Sequence, residues 1–324
     1  MIRFIGKRFL VAIPLILGIT FITFLFIQIA PGDFFDKLKL NPQVSKETIE
    51  LYREKFNLDK PVVIQYFFWL KNIVKFDWGY SFSYNAPVIK VISSRALNTL
   101  ILSLSVIVVS WILVIPLAVL AVAYRNKFVD RFLSFFSYLG ISTPTFFLAF
   151  LLLYLASFSK FLPLGGMRSL RFDEFTFWGK VLDILRHLII PTLVLSFGTV
   201  ASLHRILRAN LLEVLGSSYI LAAKARGLSR VRIIYVHALK NALNPMITIF
   251  GYQFSSLLSG AALTEIICGW PGLGQVTLEA VVSQDLYLVM GTVLIAAVLL
   301  ILGNLGADVL LALFDPRIRY QTNK

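Results

Sequence analysis

Six stretches of this chain carry no charged residue and approach or exceed the length that crosses a bilayer. They are Phe9–Ala30, Ala96–Tyr124, Phe132–Ser159, Leu188–Leu203, Asn241–Thr264 and Leu286–Ala307. A spanning helix needs about 20 apolar residues, with a range of about 17–25. Five windows pass outright, and the fourth reaches that length by extending through His204 to about Leu207. Composition agrees: the 324 residues are 58% hydrophobic and 15% charged, against about 45–50% and about 25% in soluble domains. The expectation is an all-α membrane protein with six transmembrane helices. Arg3, Lys7 and Arg8 give the first window the start of a signal peptide. Its apolar run exceeds the ~7–15 residues of a signal core, so it is read as a retained helix.

Lys and Arg in short loops set orientation. The N-terminus carries Arg3, Lys7 and Arg8, and the second loop Arg125, Lys127 and Arg131. The fourth loop carries Arg205, Arg208, Lys224, Arg226, Arg230, Arg232 and Lys240 against one acid, Glu213, and the C-terminus carries Arg317, Arg319 and Lys324. These segments hold about half of the 31 basic residues, while Glu265–Asp285 has none. Both termini and loops two and four are expected in the cytoplasm of a multi-pass protein. The net charge of +14 reflects this asymmetry and needs no nucleic acid.

The expected organisation is a first helix with an external segment (1–95), a five-helix unit (96–316) and a cytoplasmic tail (317–324). Within the external segment, Lys46–Phe56 is amphipathic and Tyr66–Trp69 is an aromatic patch. Short helices at the outer surface are one reading; a solvated loop with a few packed aromatics is the other. Pro116, Pro144 and Pro191 fall within the second, third and fourth windows and predict kinks. Gly269-Trp-Pro-Gly272 ends the fifth window, and Leu273–Ser283 has helical spacing but is too short to span. Trp270, Pro271, Gly272 and Gly274 are therefore candidates for an external gate. The alternative is an ordinary surface helix.

Catalytic chemistry is missing from the pattern. No phosphate loop occurs: Gly6-Lys7 and Gly179-Lys180 lack the upstream glycine and following hydroxyl. Neither His-Glu-x-x-His nor Gly-x-Ser-x-Gly is present. His187 and His204 flank the fourth window and cannot share a metal if that helix spans, and His237 lies in the fourth loop. Cys268 is the single cysteine, read as a small buried apolar residue. Asp308 is the one acid in a span, read as snorkelling, capping or pairing with a loop-four arginine. An ion-coupled carrier normally shows more intramembrane charge, so the energy source is expected on another chain. No enzyme, no catalytic or metal residues and no resident cofactor are expected.

Within the fourth loop, Ser217 or Ser218 suits an N-cap and Tyr219–Arg226 favours helix. Gly227 suits the residue after a helix end, where Lys224 and Arg226 complement the dipole. Ser229 then caps a second helix, about Arg230–Ala242. A basic loop that serves topology alone is the competing reading.

Ala222-Ala-(x)3-Gly227 resembles the "EAA" motif of binding-protein-dependent ABC importer permeases. His237-Ala-Leu-Lys-Asn-Ala-Leu-Asn-Pro245 resembles the dipeptide, oligopeptide and nickel subfamily, of the dipeptide-permease-B type. Ala30–Asp33, Leu58–Val62, Gln65–Phe67, Asn98–Leu100, Ser142–Phe146, Leu162–Gly166, Trp270–Gly274 and Asp315–Arg317 extend the resemblance along nearly the whole chain. It implies a type I ABC importer permease (MetI-like) fold, paired with a second related permease, two cytoplasmic ATPases that hold ATP and Mg, and an external solute-binding protein. It implies a coupling helix at about 218–228, in which Tyr219, Ala222, Ala223, Lys224, Arg226, Gly227 and Leu228 match the motif. Leu221 stands where the motif's glutamate would be, Ser218 replaces an acid, and Phe76-Asp-Trp-Gly79 replaces smaller residues. The expected function is the translocation subunit of an importer for di- or oligopeptides in a bacterial or archaeal inner membrane. Nickel or oligosaccharide cargo is the alternative within the type. A stand-alone ion-coupled carrier or channel is the alternative of another class, and a membrane-embedded enzyme comes third.

Overall fold

Long helices form over four of the six apolar windows, in keeping with the need of backbone in a bilayer to bond to itself. The computed structural model describes residues 2–32, 34–38, 46–55, 57–159, 161–246, 249–250, 253 and 261–314. In chain order, α1 (Ile2–Ile29), α2 (Phe34–Leu38), α3 (Lys46–Lys55) and α4 (Val62–Val74) come first. An antiparallel hairpin follows, β1 (Tyr80–Ser81) with β2 (Ala86–Pro87), then α5 (Val88–Ala123), α6 (Phe128–Ser142), α7 (Thr145–Ser157) and α8 (Phe177–Leu215). Next are α9 (Ser218–Ala225), α10 (Arg230–Arg232), a π-helical stretch Ile233–Ala238 and α11 (Leu239–Ala242). The last are α12 (Ala262–Ile267), α13 (Leu273–Ser283) and α14 (Leu286–Phe314).

Among the described residues, four helices are long and apolar enough to cross a membrane: α1, α5, α8 and α14. The window 132–159 is not one kinked helix. It falls in α6 and α7, which meet at 106°. Pro144 disfavours helical geometry in the residue before it, and Thr143 is extended, with φ −85° and ψ 120°. Pro116 and Pro191, by contrast, lie inside unbroken α5 and α8. Much of the expected fifth span, 241–264, lies outside the described residues, as does the tail from 315.

The chain forms two compact units, each discontinuous in sequence. The first comprises Met1–Thr99 and Pro271–Ile301. Its core joins Phe24 of α1, Tyr66 and Trp69 of α4, and Leu286, Met290 and Leu294 of α14. The aromatic patch thus divides: Tyr66 and Trp69 are buried, while Phe67 and Phe68 are exposed. Tyr66 is anchored through its hydroxyl to Thr20 Oγ1 at 2.9 Å and donates to the Leu17 carbonyl at 3.0 Å. The hairpin is fastened by Asp285, whose carboxylate accepts from the Ser81 hydroxyl at 2.8 Å and the Ser83 amide at 2.9 Å.

The second unit comprises Leu100–Trp270 and Leu302–Lys324. Here α6 packs closely on α8: a Cβ on Gly140 would lie 2.7 Å from the Ala201 Cβ, so only glycine permits that approach. Two polar contacts lock the pair. Ser137 Oγ lies 2.7 Å from His204 Nδ1, and Arg208 donates twice to Asp130.

Candidate functional site

At 39 residues, α8 is about 58 Å long at about 1.5 Å per residue, well beyond the ~30 Å hydrocarbon layer. Its C-terminal end therefore carries the following segment clear of the apolar zone. The turn Gly216–Ser217 then leads into α9. Ser217 is the N-cap residue, but its hydroxyl donates back to the Val214 carbonyl at 2.6 Å instead of capping α9.

The far end of α9 closes in a Schellman motif, which satisfies carbonyls left open at a helix end. The Gly227 amide donates to Lys224 O at 2.9 Å and the Leu228 amide to Ala223 O at 3.4 Å. Gly227 has φ +77°, and a Cβ there would meet nothing within 4 Å, so glycine is required by backbone geometry and not by space. Ser229 Oγ accepts from the Arg232 amide at 3.4 Å and opens α10, as its sequence position predicts. The helix after Ser229 is interrupted by the π-helical stretch. That change of pitch keeps Ile233, Ile234, Ala238 and Ala242 all buried, while Tyr235 and Val236 stay exposed.

One face of α9 holds the helix in place. Ile220 is fully buried and Ala223 is 9% exposed, in a core shared with Val114 and Ala118 of α5 and Leu207 and Leu211 of α8. Leu228 packs on the same core from its half-buried position. Tyr219 accepts from Asn241 Nδ2 at 2.6 Å, bonding α9 to α11. Arg230 donates to the Ala123 carbonyl at 2.7 Å, where its charge complements the C-terminal end of α5.

The other face is open. Leu221 is 55% exposed, and Ala222, Lys224, Ala225, Arg226 and Gly227 are exposed. The two motif alanines thus have different roles: Ala223 belongs to the internal contact and Ala222 to the outer surface. The basic residues divide in the same way. Arg208 holds Asp130, Arg205 lies 4.9 Å from the Tyr138 ring centroid, and Arg230 caps α5. Lys224, Arg226, Arg232 and Lys240 are exposed and form no ion pair among the described residues.

Elsewhere, Trp270 is fully buried among Leu102, Val106, Met167 and Leu188. Pro271 O accepts from Asn98 Nδ2 at 2.8 Å, and Gly272 is the N-cap of α13. Gly274 is buried within α13, whose bounds are those expected from the sequence. His187 Nδ1 lies 2.8 Å from the Asp183 carbonyl oxygen and His204 is bonded to Ser137, so each has a structural partner. The side chain of Asp308 lies outside the described residues; among the described residues, Asp130 is an acid that pairs with a loop-four arginine. Sequence reading passed over Asp130 because it falls just outside an apolar window. An acid beside a basic loop was the available signal.

Two family models cover the chain. Residues 1–105 match the N-terminal part of the binding-protein-dependent transport system membrane component. Residues 114–320, which include α9, match the binding-protein-dependent transport system inner membrane component. The chain belongs to this permease family. Full-length relatives agree. An oligopeptide transport system permease protein of Bacillus subtilis is 37% identical over 322 residues, covering 99% of this chain and 100% of the relative. A dipeptide transport system permease protein of Escherichia coli is 33% identical over 338 residues, with 99% and 100% coverage. A glutathione transport system permease protein of Escherichia coli is 32% identical over 321 residues, again with 99% and 100% coverage. The permease is therefore an inner-membrane transport component that works with a separate binding protein, and α9 lies in the part of the chain that the family's principal model spans.

Proposed function

We propose that the permease is the translocation subunit of an ABC importer for di- or oligopeptides, and that α9 is its coupling helix. One observation carries the second part: α9 is braced on one face by Ile220, Ala223 and Tyr219 and leaves Leu221, Ala222, Lys224 and Arg226 open on the other. A short helix held this way can transmit a push, because its inner face is packed on α5 and α8. In this reading the ATP and Mg lie on two cytoplasmic ATPases, one of which receives α9 in a groove. Closure of the ATPases moves α9, and α9 moves the ends of α5 and α8. The chain itself is not an enzyme.

The reading includes a type I (MetI-like) fold with six spans, both termini and loops two and four in the cytoplasm, and a second related permease completing the pathway. The turn Trp270–Gly274 is its outer gate, supported by the buried Trp270 ring and the Asn98–Pro271 bond. Peptide cargo is favoured over nickel or oligosaccharide because relatives matched over their full length are named for oligopeptides, dipeptides and glutathione.

The test is co-purification with the ATPases, permease and binding protein of its own transport system, followed by ATP hydrolysis in nanodiscs. A complex whose hydrolysis rises with binding protein plus a peptide supports the assignment. Gradient-driven transport by the chain alone in liposomes would sink it.

A further inference from the structure

The segment Phe76-Asp-Trp-Gly79, a departure from the family pattern, has no part in the site above. In the first unit it borders a cavity of about 340 Å³ lined by Asn57, Phe68, Trp69, Asn72, Asp77, Gly79, Tyr80, Pro87 and Tyr287. That volume is within the range of small-ligand sites, about 300–1,000 Å³. The cavity is built into the fold. Gly79 has φ +86°, and a Cβ there would lie 2.8 Å from the Tyr287 ring, so the bare backbone lets that ring close one wall.

The lining has one chemical bias. Four of its residues are aromatic, Asp77 is its only charged member, and no Lys or Arg lines it among the described residues. Asp77 and Asn72 are exposed at the cavity's mouth: Asp77 Oδ1 accepts from the Gly79 amide at 3.0 Å, while its Oδ2 and the side-chain amides of Asn57 and Asn72 make no hydrogen bond among the described residues. Aromatic faces and a carboxylate attract organic cations. Phe68 already does so within the chain, with the Lys60 ammonium 4.8 Å from its centroid. Trp69 is 2% exposed and closes the cavity as an apolar wall, its Nε1 being sealed from solvent. A ligand that fits this lining brings a cation for Asp77 and the aromatic faces.

We propose that this cavity binds a primary ammonium carried on a short chain. Two sources share that chemistry: an ethanolamine lipid headgroup, and a water-borne amine such as the N-terminal residue of a peptide. The site is separate from α9 and does not depend on the cargo assigned above.

The experiment is calorimetric titration of ethanolamine into the full chain in phosphatidylglycerol nanodiscs. Saturable binding is expected, weakened at least tenfold by Asp77→Asn and several-fold by Asn72→Leu. Asp59→Asn, at an exposed position that does not line the cavity, is the control and leaves it unaltered. Repeating the titration in phosphatidylethanolamine nanodiscs separates the sources. Loss of free-ethanolamine binding there assigns the site to the headgroup, and unchanged binding assigns it to a water-borne amine. No binding by the wild type in phosphatidylglycerol, or binding that Asp77→Asn and Asn72→Leu both leave intact, overturns the proposal.

Discussion

The Arg208 guanidinium grips the Asp130 carboxylate with both arms, Nε to Oδ1 at 2.7 Å and Nη2 to Oδ2 at 2.8 Å. Asp130 is 2% exposed, and Oδ2 also accepts from the Asn126 amide at 2.9 Å. Removing one member of a buried pair strands the other charge, at a cost of about 3–5 kcal/mol. Arg208→Ala should therefore lower thermal stability in detergent clearly. Arg208→Lys should recover only part of it, because a lysine cannot make the two-armed contact. Equal melting temperatures for wild type and Arg208→Ala would show that α6 and α8 are held by packing alone.

The two motif alanines give a sharper contrast. Ala223 lies in the core and Ala222 is exposed. Ala223→Leu should overpack that core and cost about 1–3 kcal/mol. Ala222→Leu should stay within about 0.5 kcal/mol of wild type, yet weaken association with the ATPases. The checks are thermal unfolding of the permease and pull-down of the assembled complex. Equal effects of both substitutions on stability would contradict the two-faced arrangement of α9.

Gly227 is constrained by its backbone angle and not by neighbours. A residue with a Cβ in left-handed geometry costs about 1–2 kcal/mol, and β-branching aggravates it. Gly227→Ala should loosen the end of α9 mildly and Gly227→Val more, with membrane insertion unchanged. Binding-protein stimulation of ATP hydrolysis should fall in that order. Unchanged stimulation in Gly227→Val would remove α9 from the coupling path.

Cys268 is 2% exposed, and burial pushes its thiol from 9.0 up to about 11. The thiolate is the reactive form. Two pH units of displacement reduce it about a hundredfold at pH 8, so maleimide labelling of the folded protein should be at least that much slower than in denaturant. The labelling rate should climb about tenfold per pH unit until the thiol titrates. Labelling at the denatured rate would place Cys268 in an open path.

The loop helix was legible almost residue for residue. Its N-cap at Ser217 or Ser218, found at Ser217, its glycine stop at Gly227 and the cap at Ser229 are local signals, each acting within about four residues of the chain. The bounds of α13 were legible for the same reason. The π-helical pitch of Ile233–Ala238 was not, since it arises from the core that those residues enter. Nor was the break at Thr143: besides Pro144, Pro14, Pro116 and Pro191 lie within windows, and those three sit in unbroken helices. Proline can kink a helix or end it, so its presence alone does not say which.

By itself, the sequence determined that the chain lives in a membrane, where its long helices run, and that it holds no phosphate loop of its own. Those properties follow from hydrophobicity and short-range backbone chemistry. Tertiary structure alone decided that Asp130 meets Arg208 across 78 positions of chain. It also decided that Ala223 faces inward while its neighbour Ala222 faces out. Such pairings depend on which helix surfaces come together, and that is a property of the packed bundle, not of any local stretch.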